Sequence, residues 1–263
     1  MDLKIKDKVA LVTASSKGLG KAVALRLSEE GAKVMICSRN ENSVFKAKEE
    51  IEAKTGRVVR AFVADVTDDD QINAMINGIV EEFGGIDILV CNAGGPPAGK
   101  AIDFKVDDYR KALELNLLST INLSYKVFPF MKKQKWGRII NITSVSAKQP
   151  IDNLILSNTA RAGVLGFAKS LSSQVAAYGI TVNSVCPGYT KTERVENLSK
   201  AFVENGQGTQ EDFYNNLEAT VPMKRIGTTD EFARTVSFLA SDGAGYITGV
   251  ALQIDGGWIQ GLF

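Results

Sequence analysis

The stretch KVALVTASSKGLGKAVALRLSEEGAKVMICSR, residues 8–39, places a strand, a glycine-bearing turn, a helix and a second strand in direct succession. Residues 8–13 are apolar and rich in β-branched side chains, which is typical of a buried strand. Leu19, Val23 and Leu27 then recur every four positions, as they would on the buried face of a helix. The stretch therefore predicts the first βαβ unit of a parallel sheet.

The turn inside this unit, residues 14–20, predicts a binding site for a dinucleotide. Glycines at a sharp strand-to-helix turn let the backbone approach a pyrophosphate, whose charge is met by free amides and by the positive end of the helix dipole. Gly18 and Gly20 supply such glycines. A glycine pair alone is weak support, since a turn also uses glycine only for its φ angle. The rest of the chain decides between the two interpretations.

Further strand-like runs alternate with helical ones along the whole chain. This alternation predicts an α/β fold with a Rossmann-like, doubly wound parallel sheet of about seven strands. Ligands of such sheets bind outside the carboxyl ends of the strands. The later strands are predicted at residues 33–38, 58–64, 86–91, 138–143, 181–186 and 250–255, and the residues at strand ends are Thr13, Arg39, Asp65, Asn92, Ser144 and Pro187.

The composition favours one domain spanning residues 1–263. Hydrophobic residues make up 44% of the chain, which suffices for a large core, and no linker or repeat divides it. The charged amino terminus and the lack of a long apolar run lead us to expect a cytoplasmic protein with no membrane partner. A net charge of +1, from 31 basic and 30 acidic residues, offers no general attraction to nucleic acid.

The chain contains no histidine, which removes imidazole as a base or metal ligand and excludes a serine–histidine hydrolase. Its three cysteines, Cys37, Cys91 and Cys186, end three different strands and lack the spacing of metal ligands. We therefore expect small buried thiols in strands that are not neighbours, and no metal site.

Seven short motifs occur in a characteristic order: TASSKGLG (13–20), ADVTD (64–68), CNAG (91–94), LNLLS (115–119), NITSVSA (141–147), PGYTKT (187–192) and ITGVALQIDGG (247–257). Together they resemble the short-chain dehydrogenases/reductases, in particular the β-ketoacyl carrier-protein reductases, over essentially the whole chain. The resemblance implies hydride transfer between a nicotinamide cofactor and a small carbonyl or alcohol substrate. It assigns cofactor contacts to Thr13, Ser15, Ser16, Lys17, Gly18, Leu19, Gly20, Arg39, Asp65, Val66, Asn92, Ala93, Gly94, Arg161, Pro187, Gly188, Thr190 and Thr192.

The chain departs from this family at its proton-transfer residues. The family places a Tyr-x-x-x-Lys pair about thirteen residues beyond the serine that matches Ser144, and here those positions hold Ser157 and Arg161. None of the six tyrosines has a lysine four residues later. Ala14 also replaces the first glycine of the family's turn, so cofactor binding should survive unless that position requires a positive φ.

The predicted catalytic residues are Asn116, Ser144, Ser157 and Arg161. The resemblance implies that Ser144 holds a carbonyl oxygen and that Asn116 orders water, while Arg161 can bind ribose hydroxyls and lend positive charge. An aliphatic hydroxyl is a much weaker acid than a phenol, and arginine effectively never releases its proton. Other candidate donors are a water held by Ser157 or one of four side chains that otherwise read as solvated loop residues, namely Lys148, Asp152, Tyr189 and Lys191.

The preferred cofactor is predicted to be NADP(H). An acidic residue about twenty positions beyond the glycines would bind the 2′-hydroxyl of NAD, whereas a basic one would meet the 2′-phosphate of NADP. Ser38 and Arg39 stand there, and Lys17 adds a second cation. The alternative is that both cations are merely exposed surface residues, and Glu41 nearby argues mildly against NADP.

Two further segments lead to expectations about substrate and assembly. Residues 191–225 mix charged with apolar side chains, which predicts amphipathic helices in the position of a substrate lid, and the loop at 94–99 either shapes the same pocket or is a rigid turn. We expect a homo-oligomer, in particular a tetramer. A helix over about 154–178 carries small residues that either let another helix approach closely or pack only against the chain's own sheet, namely Ala160, Gly163, Gly166 and Ala168. The apolar tail favours the first interpretation, through Trp258, Ile259, Leu262 and Phe263.

Two functions remain open from the sequence. One is an NADP(H)-dependent oxidoreductase with an atypical proton-transfer site. The other is a catalytically silent NADP(H)-binding protein, a sensor or a non-catalytic subunit. Ser157 and Arg161 are the residues that separate the two.

Overall fold

The structure, a computed structural model, describes residues 2–262 and contains within them one parallel sheet of seven strands. The strands are hydrogen-bonded in the order β3-β2-β1-β4-β5-β6-β7, and every neighbouring pair is parallel. This confirms the doubly wound α/β fold. The strands are β1 Val9–Val12, β2 Lys33–Ser38, β3 Val59–Val63, β4 Ile88–Cys91, β5 Gly137–Ile142, β6 Ile180–Pro187 and β7 Ala251–Ile254.

Helices connect the strands and cover both faces of the sheet. A five-residue π-helical turn, Glu114–Leu118, joins two of them. The helices are α1 Gly18–Glu29, α2 Glu41–Thr55, α3 Asp69–Phe83, α4 Val106–Leu113, α5 Ser119–Gln134, α6 Ile155–Val175, α7 Glu193–Glu204, α8 Gln210–Thr220 and α9 Thr229–Leu239.

The core consists of two apolar layers, one on each face of the sheet. Alternate strand residues enter opposite layers, so that Val12 and Ile36 lie in one and Leu11 and Met35 in the other. Each of these side chains is fully buried, and such burial contributes roughly 1.5–3 kcal/mol per side chain. The first layer is closed by α1, α2 and α9, and the second by α3, α5 and α6.

The three cysteines are free and buried, as expected. They lie in β2, β4 and β6, and β1 and β5 separate these strands in the sheet. Burial raises the pKa of Cys37 and of Cys91 to about 12, and it also raises the pKa of Cys186. These thiols are therefore small apolar residues of the core at neutral pH.

The order of the strands places a crevice at the carboxyl ends of β1 and β4. The chain leaves β1 toward β2 and β3 and then returns to β4 on the other side of β1, which makes this the switch point of the sheet. The segment expected to form a lid contains α7 and α8, which pack together through Phe202 and Phe213 at 5.6 Å between ring centroids. None of the helices found between residues 2 and 262 is long and apolar enough to span a bilayer.

Candidate functional site

The turn after β1 is held in place by its own serine. The Ser15 backbone amide donates to the Cys37 carbonyl at 3.0 Å, and the Ser15 hydroxyl donates to the Val12 carbonyl at 2.6 Å. Ala14 has a φ of +45° in this turn, so the position that the family fills with glycine does require a positive φ. This backbone conformation is about 1 kcal/mol less favourable for an L-residue than for glycine. The condition that put cofactor binding in doubt is therefore met, but the turn keeps the hydrogen bonds of Ser15, so we still expect the cofactor to bind.

Gly20 is required because the ends of β1 and β4 pack closely against each other. A Cβ at Gly20 would lie 2.7 Å from Asn92 Nδ2 and 2.8 Å from the Ala14 carbonyl oxygen. Asn92 Nδ2 donates to that same carbonyl at 3.0 Å, and Thr13 Oγ1 donates to the Asn92 carbonyl at 2.7 Å. These bonds fix a narrow cradle of backbone at the switch point.

The cradle fits the pyrophosphate of a dinucleotide. It leads into the amino terminus of α1, whose N-cap Lys17 makes no side-chain capping hydrogen bond and whose first turn holds no acidic residue. Free amides and the helix dipole therefore favour an anion. Leu19 packs its side chain on the core, so only its backbone is left to contribute.

Polar and basic side chains surround the end of β2, where the adenosine would lie. Ser16 Oγ and Ser38 Oγ are 3.2 Å apart. The Arg39 side chain is 73% exposed, and its Nη1 lies 3.7 Å from Asp65 Oδ2, while Lys17 Nζ lies 3.2 Å from Glu193 Oε2. Exposed ion pairs of this kind contribute little to stability, so both cations remain able to meet a phosphate.

The structure places the remaining predicted cofactor residues around the same crevice. Asp65 accepts hydrogen bonds from the Thr67 amide and hydroxyl, at 2.9 and 2.8 Å, which orients its carboxylate, and Val66 is buried. Thr192 reaches the glycine turn, since a Cβ at Gly18 would lie 3.9 Å from its Cγ2. The others follow strand ends: Ala93 and Gly94 after β4, and Pro187, Gly188 and the buried Thr190 at or after the end of β6.

Next to the cradle, the structure brings three of the four predicted catalytic residues into one hydrogen-bonded row. Ser144 Oγ accepts from the Ser146 amide at 3.1 Å, and Ser146 Oγ lies 3.4 Å from Ser157 Oγ. Arg161 Nε donates to Ser157 Oγ at 3.2 Å. We call Ser144, Ser146, Ser157 and Arg161 the serine–arginine row. Ser146 was not predicted, although it lies only two residues beyond Ser144 in the quoted motif.

Arg161 is a buried cation held by neutral acceptors. It is 8% exposed, and its Nη1 donates to the Thr143 and Ile142 carbonyls at 2.7 and 3.3 Å. Burial lowers the pKa of Arg161 to about 10, with a further contribution from the positive charge of Arg194, while Cys186 opposes the shift. The guanidinium is therefore still protonated at neutral pH, and it stabilises charge rather than transferring a proton.

The fourth predicted catalytic residue, Asn116, lines the same small cavity as Arg161. It lies in the π-helical turn, and its Nδ2 donates to the Ala112 carbonyl at 3.4 Å. Such turns inside helices are frequent at functional sites. Asn116, Asn92 and Arg161 line a cavity of about 10 Å³, close to the volume that one water requires. The predicted water-ordering role of Asn116 is compatible with this cavity.

None of the four alternative proton donors joins the serine–arginine row. Lys148 Nζ donates to the Ala251 carbonyl of β7 at 3.1 Å, and Asp152 and Lys191 are exposed. Tyr189 stacks on Trp258 at 4.6 Å between centroids, and burial raises the pKa of its phenol. A water held by Ser157 is the one candidate that this geometry leaves beside the row.

Arg194, the second residue of α7, also reaches the site and was missed by sequence reasoning. Its guanidinium lies directly over Gly95, where a Cβ would be 3.0 Å from its Cζ. The loop at 94–99 is fixed on its other side, because the Gly99 amide donates to the Asn153 carbonyl at 2.7 Å. The available signal was an arginine two residues beyond PGYTKT, at the start of an amphipathic helix.

Most of the residues on which the predicted assembly rests pack against other parts of the same chain. Ala160 and Ala168 of α6 are buried in its own core, a Cβ at Gly163 would meet Leu117, and Gly166 faces open space. In the tail, Trp258 packs on Tyr189 and Ile259 is half-buried, while Leu262 is 92% exposed. Phe263 lies outside the described residues.

The described part of the chain, residues 2–262, holds no group of three or more His, Cys, Asp or Glu side chains placed to bind a metal ion.

The doubly wound sheet, with a glycine turn at its switch point, defines a Rossmann-type nucleotide-binding protein. Residues 13–259 match the family model described as enoyl-(acyl carrier protein) reductase. The 3-oxoacyl-[acyl-carrier-protein] reductase of Haemophilus influenzae is 39% identical over 253 residues, 96% of this chain and 98% of that protein. The chain belongs to the short-chain dehydrogenase/reductase family of oxidoreductases.

Two solved structures show the same architecture. The L-sorbose reductase of Gluconobacter frateurii, complexed with NADPH and L-sorbose, is 29% identical, with a TM-score of 0.96 over 100% of both chains. An actinorhodin polyketide ketoreductase with NADPH is 31% identical, with a TM-score of 0.90 over 96% of this chain and 97% of that one. Both neighbours are therefore reductases solved with NADPH.

Proposed function

We propose that the protein is an NADP(H)-dependent oxidoreductase that interconverts a carbonyl and an alcohol through an atypical proton-transfer site. The observation that carries this proposal is the serine–arginine row lying beside a cradle that fits a dinucleotide. When bound, the nicotinamide supplies or accepts the hydride. The chain's own residues bind the carbonyl, stabilise its developing charge and hold a proton donor.

Ser144, Ser157 and Arg161 each have a separate part in this proposal. Ser144 donates a hydrogen bond to the carbonyl oxygen, and the Arg161 charge stabilises that oxygen as it becomes an alkoxide. Arg161 keeps its own proton, so the proton comes from a water held by Ser157. This arrangement stabilises charge well but lacks an acid of tuned pKa, and we therefore expect slow turnover.

NADP(H) is the cofactor we propose because Arg39 directly follows β2 and Lys17 lies in the glycine turn, where Ser16 Oγ is 3.2 Å from Ser38 Oγ. The NADPH bound to both structural neighbours supports this choice. Residues 191–225 would act as the substrate lid, since Thr192 and Arg194 reach over the glycine turn and the 94–99 loop.

The test is hydride transfer from NADPH across a panel of carbonyl compounds. Ser144→Ala should lower kcat by about 10²–10³, the usual effect of losing one donor to a developing oxyanion. Ser173→Ala removes an equally small hydroxyl from the exposed side of α6 and should leave kcat unchanged. Equal rates for Ser144→Ala and the unaltered chain would contradict the proposed role of Ser144.

A second candidate function is a catalytically silent NADP(H)-binding protein. It is favoured by one observation: Ser157 Oγ accepts a hydrogen bond from a permanent cation, in the place where the family keeps a proton-donating phenol. Tight NADPH binding by calorimetry, with no NADPH oxidation by any member of the panel, would establish this alternative.

We also propose a cytoplasmic homotetramer that has no nucleic-acid or membrane partner. The exposed Leu262 and the exposed Gly166 of α6 support contacts with further copies of the chain. Light scattering at micromolar concentration checks this proposal, and a monomer would contradict it.

A further inference from the structure

Two arginines without a counter-charge lie near the substrate side of the cleft. Arg161 is buried in the wall, where it lines the small cavity together with Ala93, and the exposed Arg194 reaches from the lid to Gly95, two residues beyond Ala93. Burial is the main cause that lowers the pKa of Arg161, and the positive charge of Arg194 adds to it. Neither arginine takes part in any of the ion pairs formed by residues 2–262, and the hydrogen bonds of Arg161 go to a hydroxyl and two carbonyls.

Arg161 carries a buried charge that only neutral acceptors hold, whereas Arg194 is exposed to solvent. A buried guanidinium is expensive without a partner, and a second cation nearby adds repulsion. The guanidinium is also the side chain best suited to a carboxylate, since it offers parallel N–H donors in a fixed fork. A bound carboxylate would therefore supply the missing counter-charge, because Arg194 can offer its fork and the buried charge of Arg161 attracts the anion.

The direction of Arg194 separates it from the part of the site that fits the cofactor's pyrophosphate. Its two predecessors face the glycine turn: Thr192 lies against Gly18, and Glu193 pairs with Lys17. Arg194 instead lies over Gly95, on the loop that is tied to the segment preceding α6. It thus faces the side of the cleft that holds the serine–arginine row.

We propose that Arg194 and Arg161 together bind a carboxylate carried by the carbonyl substrate, so that the enzyme acts on oxo acids and the corresponding hydroxy acids. This inference rests on the proposed function and adds the class of its substrate. Arg194 acts as a specificity residue, and Arg161 keeps its place beside the reacting oxygen.

The test measures binding without turnover. The NADP⁺-loaded protein is titrated by calorimetry with pyruvate, acetoacetate and phenylpyruvate and with the methyl ester of each. An oxo compound and NADP⁺ are both oxidised, so no hydride can be transferred during the titration. We expect at least one acid to bind more tightly than its ester. Arg194→Gln should reduce that preference about 10- to 100-fold, as expected for a charge-assisted contact.

Two further variants sharpen this test. Lys200→Gln removes an exposed cation from the same helix and should keep the preference for the acid. Arg194→Lys keeps the charge but loses the fork and should retain only part of the preference.

Each outcome is decisive. The inference is overturned if no acid binds, if acids and esters bind equally, or if Arg194→Gln leaves the preference intact. It is also overturned if Arg194→Gln weakens NADPH binding while the preference persists, because the anion is then the cofactor pyrophosphate. If the preference depends on Arg194 but NADPH reduces none of the acids, the carboxylate site stands and hydride transfer is the claim that fails.

Discussion

The carboxyl end of β1 and the wall formed by β5 and α6 each depart from the family's pattern, but in different ways. At β1, Ala14 stands where the family has glycine, yet the backbone still adopts a φ of +45° and the turn keeps its hydrogen bonds. At α6, Ser157 and Arg161 keep the spacing of one helical turn, but their chemical groups differ from a phenol and an amine.

The difference shows which kind of site tolerates substitution. The cradle acts through backbone amides, so an extra methyl group costs only the strain of a positive φ, about 1 kcal/mol. The serine–arginine row acts through side chains, and the loss of a positioned general acid costs about 10²–10⁴ in rate, or roughly 3–5 kcal/mol of barrier. Cofactor binding should therefore survive while turnover falls.

The strongest test of this contrast rebuilds the proton donor. Ser157→Tyr combined with Arg161→Lys should raise carbonyl reduction by up to about 10²–10⁴, because a phenol beside an amine supplies a tunable acid. NADPH oxidation under single-turnover conditions measures the effect. The single change Ser157→Tyr should gain less, since Arg161 cannot give up its proton.

The opposite result would show that the β1 turn and the serine–arginine row do not differ in their tolerance of substitution. If the unaltered chain turns over rapidly and the double change abolishes activity, the serine–arginine row already contains an effective donor. The two regions would then tolerate substitution equally well.

A second test addresses the adenosine end of the cradle. Arg39→Asp should weaken NADPH binding by about 10- to 100-fold and leave NADH binding nearly unaffected, because only NADPH carries the phosphate that a charge-assisted contact would meet. Arg57→Asp makes the same charge change just before β3, at the other end of the sheet, and should alter neither affinity. Calorimetry showing equal affinity of the unaltered chain for both cofactors would contradict the assignment.

The smallest expected effect concerns the strain at Ala14. Ala14→Gly should stabilise the protein by about 1 kcal/mol and raise Tm by roughly 2–4 °C, because glycine adopts a positive φ without a steric penalty. Ala53→Gly, the same change inside α2, should have the opposite sign, since glycine is unfavourable in a helix. A lowered Tm for Ala14→Gly in thermal unfolding would show that the methyl group contributes packing that outweighs the strain.

The fold was predictable because its signals are local. Strand β2 was predicted at its observed bounds, and the other strands agree to within two residues, since buried parallel strands are short apolar runs separated by turn residues. Helix α6, expected over about 154–178, ends at Val175 and continues as a short 3₁₀ turn to Tyr178.

The site was only partly predictable because much of it depends on distant contacts. The sign of φ at Ala14 is set by packing between the β1 turn and β2. Lys148 is directed to a carbonyl of β7, 103 residues away, and Arg194 meets a loop that precedes it by about a hundred residues. No periodicity or local motif encodes such contacts. Ser157 and Arg161, in contrast, occupy the two positions of a family motif and lie one helical turn apart, so the resemblance could pair them.

The reactivity of the buried cysteines can report on local opening of the sheet. Burial raises the pKa of Cys37 and of Cys91 to about 12, so these thiols stay protonated at pH 7, and the intact sheet hides the sulfur from reagents. Alkylation of these positions would therefore proceed only through excursions that separate the sheet from its helices. Conversely, a cysteine introduced on the exposed side of α6 or α7 would be the one thiol that a fluorophore labels. Lid movement could then be followed in a chain that keeps all three of its natural cysteines.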